Sequence, residues 1–202
     1  MREGVIMVRL KGVRVGTVLT GSHCTVKEVL VEIENLKREG AIITPILSYS
    51  VDQTDNRFYR TADLKARLQK LTGGPIINTI VGAEPIGPQK LLDLVIVAPC
   101  TGNTIAKLAN GITDTPALMA VKAHLRNQRP VVIGVSTNDG LGLNAKNVGI
   151  LMATKNIYFI PFRQDNPIEK PNSIVADMKL MVETAIAALQ GKQLQPVLLG
   201  SA

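Results

Sequence analysis

The run from Leu94 to Asp114 constrains this chain more than any other. It reads Leu-Val-Ile-Val-Ala-Pro-Cys-Thr-Gly-Asn-Thr-Ile-Ala-Lys-Leu-Ala-Asn-Gly-Ile-Thr-Asp. Leu94 to Ala98 is continuously apolar and largely β-branched, as a strand covered on both faces of a parallel sheet must be. Pro99 has no N–H to give to a ladder, so the strand is expected to end there. Thr101, Gly102, Asn103 and Thr104 then place hydroxyls, a carboxamide and open backbone N–H groups at the start of a helix expected from about Asn103. The helix dipole favours an anion such as phosphate at that point. Thr101 or Asn103 also reads simply as the cap of that helix.

The remaining chain repeats the strand, polar loop, helix pattern. Val13 to Leu19 reads as a strand, followed by Thr20 to Thr25 and a helix whose apolar Val26, Val29, Leu30, Ile33 and Leu36 recur at helical spacing. Gly40 fits that helix's cap, and Ile42 to Leu47 is a second strand ending at Ser48, Tyr49 and Ser50. Val51 to Arg60 reads as a polar loop, Thr61 to Leu71 as a helix stopped by Thr72-Gly-Gly-Pro75, and Ile76 to Val81 as a short strand. Thr115-Pro116 opens a helix to about Arg126, with Leu118, Met119, Val121 and Leu125 as its packing face. Val131 to Val135 is a strand ending in the polar loop Ser136 to Gly140. A helix over 147–154, a strand over 157–162, a connection over 164–172 and a helix over 173–189 complete the pattern. Residues 1–11 read as a lead-in and 191–202 as a C-terminal tail to one domain spanning 1–202.

Strands alternating with helices imply right-handed crossovers and a mostly parallel sheet in a three-layer α/β fold. Ligands in such sheets bind beyond the carboxyl ends of the strands. The loops at 20–25, 48–58, 99–104 and 136–142 therefore share one cleft. Gly16 and Gly21 have P-loop spacing, but Ser22 stands where that motif needs lysine, and a Gly-x-Gly-x-x-Gly run is absent.

Composition narrows the partners. The net charge is +7, but the 23 basic residues are dispersed and aromatics make up only 3%, which disfavours nucleic acid and suits small anions. No apolar run approaches membrane-spanning length, and Glu3, Arg9, Lys11 and Arg14 interrupt any signal-like start, so a cytoplasmic protein is expected. Cys24 and Cys100 form neither a disulfide framework nor a zinc quartet, and no metal is expected.

Thr20-Gly21-Ser22, the run Ala98 to Ala109 and Asp114 together resemble the flavoprotein family of FMN-binding, homo-oligomeric cysteine decarboxylases and prenyltransferases. The resemblance implies a Rossmann-like flavoprotein fold, FMN as cofactor, and a homo-oligomer with its flavin site between protomers. Leu19 to Thr25, Lys122 to Gly142 and Thr154 to Phe162 resemble one branch of that family over nearly the whole chain. That branch implies an oxidoreductase component from spore-forming bacteria, inactive without its partner, a nucleotide-dependent dehydrogenase, with NADP used in the complex. The implied substrate is a small dicarboxylate, the dihydro precursor of a pyridine dicarboxylate. Residue by residue, Thr20, Gly21 and Ser22 match the family's first phosphate and ribose loop. Ser48 lies at its second hydroxyl loop, and Pro99, Thr101, Asn103 and Thr104 match the central flavin motif. Ser136 and Asn138 join the cleft by topology.

The decarboxylase branch also carries a mid-chain catalytic histidine and a Pro-x-Met-Asn-x-x-Met-Trp clamp. This chain has no Trp, and its two histidines are His23 and His124. The departures argue against a stand-alone FMN-dependent decarboxylase, and leave a non-catalytic scaffold that positions the dehydrogenase partner as the other alternative.

The candidates for chemistry are few. His23, beside a helix start, reads as a neutral electrophile or phosphate donor, or as a residue that only fills the helix entrance. Arg57, in the polar loop, suits bidentate pairing with a substrate carboxylate. Cys24 lacks an identifiable base and Lys107 reads as a helix-surface charge. Asp114 and Asp139 read as caps or loop ties, and no carboxylate pair calls for acid–base chemistry.

Overall fold

The computed structural model describes residues 8–200. Five strands run parallel: β1 (Arg14–Leu19), β2 (Ile42–Leu47), β3 (Leu94–Cys100), β4 (Val131–Thr137) and β5 (Ile157–Phe159). A hairpin of β6 (Phe162–Asn166) and β7 (Lys170–Ala176) is antiparallel and joins the sheet where β7 pairs with Ser136 and Thr137 at the end of β4. The order across the seven-stranded sheet is β2-β1-β3-β4-β7-β6, with β5 also on β4. Every residue of β3 is buried, as its apolar run requires.

Among the described residues eight α-helices accompany these strands: α1 (Val26–Arg38), α2 (Tyr49–Gln53), α3 (Thr61–Thr72), α4 (Ile80–Ala83), α5 (Gly102–Ala109), α6 (Pro116–Leu125), α7 (Ala145–Met152) and α8 (Met181–Leu189). The β1–β2 crossover moves one way along the sheet and the β3–β4 crossover the other. Right-handed connections therefore put α1 and α6 on opposite faces. α8 packs beside α1, α4 beside α6, and α5 against α7. The result is the expected three-layer, mostly parallel α/β fold. Among the described residues no helix is long and apolar enough to cross a membrane.

Local chemistry accounts for the element ends. Gly40, at φ 87°, closes α1, with Gly40 N–H on the Lys37 carbonyl and Ala41 N–H on the Leu36 carbonyl. Thr115 Oγ1 accepts the Leu118 N–H at 3.2 Å and Pro116 occupies the first turn of α6, as expected.

Several expectations are corrected. Pro99 does not end β3: the strand reaches Cys100, and the ladder with β4 shifts register between Val97 and Cys100 around the proline. The expected strand over 76–81 is a single bridge, Ile46 to Ile77, followed by α4, because Thr79 Oγ1 caps a helical turn by accepting the Gly82 N–H at 3.0 Å. The loop expected over 51–60 begins inside α2. Ser136 and Thr137 belong to β4, not to a loop. The strand expected over 157–162 divides into β5 and β6 on either side of Ile160 and Pro161. The connection over 164–172 and the start of the last helix are in fact the hairpin, and α8 begins only at Met181. The tail is tied to β6: Phe162 N–H bonds the Val197 carbonyl at 3.0 Å, and Leu199 N–H bonds the Phe162 carbonyl at 2.9 Å. Of the lead-in, residues 1–7 lie outside the described structure, while Leu10 is buried and Arg9 pairs with Glu39 and Glu183, each at 2.7 Å.

Candidate functional site

Four strand ends converge as the topology requires, and one hydrogen-bonded tie fixes the centre. Thr20 Oγ1 donates to the Pro99 carbonyl at 2.7 Å and accepts the Thr101 N–H at 3.0 Å, locking the β1 and β3 loops together. Thr101 Oγ1 in turn accepts the Thr104 N–H at 3.2 Å as the cap of α5. Close approach here needs glycine at two points. A Cβ on Gly21 would stand 2.9 Å from Ser50 Oγ, and one on Gly102 would stand 2.6 Å from Thr137 Oγ1 and 2.8 Å from Asn144 Nδ2.

The cleft has two lobes divided by Gly21 and Thr101. The larger, about 620 Å³, contains Ser22, Arg57, Ser136 and Asn138, with Lys170 and Ser173 from the hairpin. The smaller, about 370 Å³, contains Thr20, His23, Ser48, Ser50, Asn103 and Thr104. The structure thus places every candidate site residue named from the sequence on the cleft except Pro99. That residue is buried away from both lobes and acts through its carbonyl on Thr20. The hairpin wall, whose Ser173 Oγ donates to the Thr137 carbonyl at 3.3 Å, is not among the expectations from the sequence. Thr25 is not singled out there either, and its hydroxyl lies 3.0 Å from Ser136 Oγ, itself 2.7 Å from Ser22 Oγ.

The electrostatics separate the cations. Lys107 is paired with Asp114 at 2.6 Å and Lys170 with Asp165 at 3.2 Å. Arg57 makes no ion pair among the described residues; its guanidinium lies 4.8 Å from the centre of the Phe58 ring. Asp139 ties its own loop, accepting the Leu143 N–H at 3.0 Å and the Asn144 amide at 3.2 Å. Burial lowers the proton affinity of His23 and raises the Tyr59 phenol's pKa. Cys24 is exposed, whereas Cys100 is buried and its thiol pKa is pushed up by burial.

The arrangement fits a flavin mononucleotide. The N–H groups of Gly21, Ser22, Gly102 and Asn103 have no hydrogen-bond partner among the described residues, as a phosphate and sugar need. Asn103 is exposed on the smaller lobe, where Tyr49 is half-buried, and Val175 is half-buried on the larger lobe. The family model described as Flavoprotein matches residues 7–189. This chain belongs to the flavoprotein family.

Two relatives cover nearly all of this flavoprotein chain. The B-subunit of dipicolinate synthase from Bacillus subtilis (strain 168) is 53% identical over 192 residues, covering 95% of this chain and 96% of that protein. The crystal structure of the dipicolinate synthase B-subunit from Bacillus halodurans C superposes with a TM-score of 0.88 at 51% identity, covering 96% of this chain and 99% of that one. These matches agree with the narrower branch read from Leu19 to Thr25 and the two later runs. Burkholderia xenovorans DmrB in complex with FMN, described as a cubic protein cage for redox transfer, has a TM-score of 0.60 at 19% identity. That match covers 73% of this chain and 87% of that one, a likeness of fold.

Proposed function

We propose that the chain binds FMN across the two lobes. In the cytoplasm of a sporulating cell it would act with the A-subunit of dipicolinate synthase, a dehydrogenase that uses NADP, to oxidise a dihydrodipicolinate-type precursor to dipicolinate. The observation that carries this reading is the 53% identity across 96% of a protein named as a B-subunit, joined to a cleft built of open N–H groups and hydroxyls. When bound, FMN would supply an acceptor for hydride or electrons. The chain's own residues hold and orient: the N–H groups at Gly21, Ser22, Gly102 and Asn103 take phosphate and sugar oxygens. Ser48 and Thr104 add hydroxyls in the smaller lobe, and Ser22, Ser136 and Asn138 add polar contacts in the larger. Arg57, free of any carboxylate partner among the described residues, takes a carboxylate of the substrate. A homo-oligomer closes the open edge of the cleft; a monomer at micromolar concentration by light scattering would contradict that part.

The scaffold reading has one observation in its favour: no histidine lines the larger lobe among the described residues, and of its two carboxylates Asp165 is paired with Lys170 while Glu28 stands without an ion pair. NADP reduction separates the readings, measured for the dehydrogenase partner, for this chain, and for the mixture with and without FMN. The expected result is turnover only in the FMN-containing mixture. Arg57→Ala is expected to raise KM by roughly 10- to 100-fold, the loss of one charge-assisted contact. Full activity of the dehydrogenase partner alone, or of this chain alone, overturns the division of labour, and full activity of a flavin-free mixture favours the scaffold.

A further inference from the structure

His23, at the end of β1, meets two side chains of the turn between α2 and α3. Its Nδ1 lies 2.6 Å from Tyr59 Oη and 3.3 Å from Asn56 Nδ2, and the His23 and Tyr59 rings meet edge to face with centroids 5.5 Å apart. Asn56 decides which imidazole nitrogen carries the proton. Its Oδ1 accepts the backbone N–H groups of Phe58 at 2.9 Å and Tyr59 at 3.3 Å. The amide orientation is thereby set, with Nδ2 turned to the imidazole and within 3.4 Å of the Thr54 carbonyl. An amide nitrogen only donates, so a proton on Nδ1 would face another proton. Nδ1 is the acceptor, the Tyr59 hydroxyl donates to it, and the ring proton is on Nε2. That atom lies 3.8 Å from the position a Cβ on Gly21 would take, and no protein group among the described residues accepts from it.

We propose that Asn56 and Tyr59 are positioning residues. They hold His23 as a neutral imidazole with its proton on Nε2, so that it gives the smaller lobe a fixed N–H donor for an anionic ligand oxygen and does not act as a base. The tautomer is set by the bond the other nitrogen makes. Burial supports it, since it disfavours both the imidazolium and the phenolate. The donor's purpose rests on the reading of this lobe as part of the FMN site.

The test is the long-range proton–nitrogen correlation spectrum of the ligand-free, nitrogen-15-labelled full chain. Wild-type His23 is expected to carry its proton on Nε2. Asn56→Asp keeps the acceptor that holds the turn and replaces the amide donor with a carboxylate, so the proton moves to Nδ1. Tyr59→Phe leaves a mixture of tautomers. His124, whose Nε2 lies 3.0 Å from the Pro130 carbonyl, keeps its own pattern in each variant and reports that the fold is intact. FMN affinity is expected to fall about tenfold or more in Asn56→Asp and less in Tyr59→Phe. A wild-type proton on Nδ1, or an Asn56→Asp spectrum like the wild type, overturns the proposal. Failure of the wild-type chain to bind FMN would instead sink the flavin reading, because the tautomer is read without any ligand.

Discussion

Strand β3 and the β6–β7 hairpin both wall the larger lobe, one through the Thr101–Gly102 turn at its end and the other through Lys170, Ser173 and Ile174. They are built by different rules. β3 lies between β1 and β4 with every residue buried, and its backbone groups are spent on two parallel neighbours. The hairpin grips the sheet by a short antiparallel contact with Ser136 and Thr137, and its outer half, from Asp165 through Lys170, is largely solvated. The parallel centre therefore carries stability and the geometry of the Thr101–Gly102 turn. The hairpin carries a changeable polar wall.

The largest expected effect falls in the centre. Ile96 is 1% exposed in the middle of β3, and Ile96→Ala is expected to cost about 2–5 kcal/mol, read as a lower urea midpoint. A loss below about 1 kcal/mol would break the distinction between the two regions. The next largest belongs to His124, fully buried on α6 beside the entry to β4, with Nδ1 unpartnered. Burial pushes its pKa from 6.5 down to about 4, so the unfolded chain takes up a proton at higher pH than the folded one. Stability is then complete above pH 6.5 and is lost as the pH falls towards 4. The loss amounts to about 3 kcal/mol. Unfolding midpoints across that range should show the slope in the wild type and a flatter profile in His124→Gln. Asp93, held near 2 chiefly by its bonds to Arg14, titrates below this window. The smallest effect is at the hairpin turn: Ile168, 91% exposed, changed to Ser should alter stability by less than about 0.5 kcal/mol. A larger cost would show that the turn is covered in solution.

The same contrast explains what could be read from the chain. Strands covered on both faces announce themselves as apolar runs, and β2 is found at both expected ends, Ile42 and Leu47. Cap chemistry is equally direct, as at Thr115-Pro116. The hairpin is hidden because Arg163, Gln164, Asp165 and Asn166 are uniformly polar and Pro167 reads as a break, while its pairing is long-range and leaves no local trace. Ile76 to Val81 misled for the opposite reason, being β-branched and apolar but directed into a helical turn by the Thr79 hydroxyl. Within the site, polar residues at the parallel strand ends were legible because topology alone brings them together. The motif puts Pro99 on the wall, whereas its carbonyl is spent on Thr20. The Asn56, Tyr59 and His23 contacts depend on how the turn after α2 folds back, which periodicity does not encode.

Under the proposed function, the open N–H groups and polar side chains at the ends of β1 and β3 form a flavin site. An equilibrium titration of FMN into the full chain, followed by flavin fluorescence, tests this most directly when run beside Asn103→Leu, a change at an exposed side chain on the smaller lobe. The predicted result is saturable binding by the wild type, weakened in the variant by about 1–3 kcal/mol, with the urea midpoint unchanged. No saturable binding by the wild type, or equal affinity in the two proteins, would contradict it.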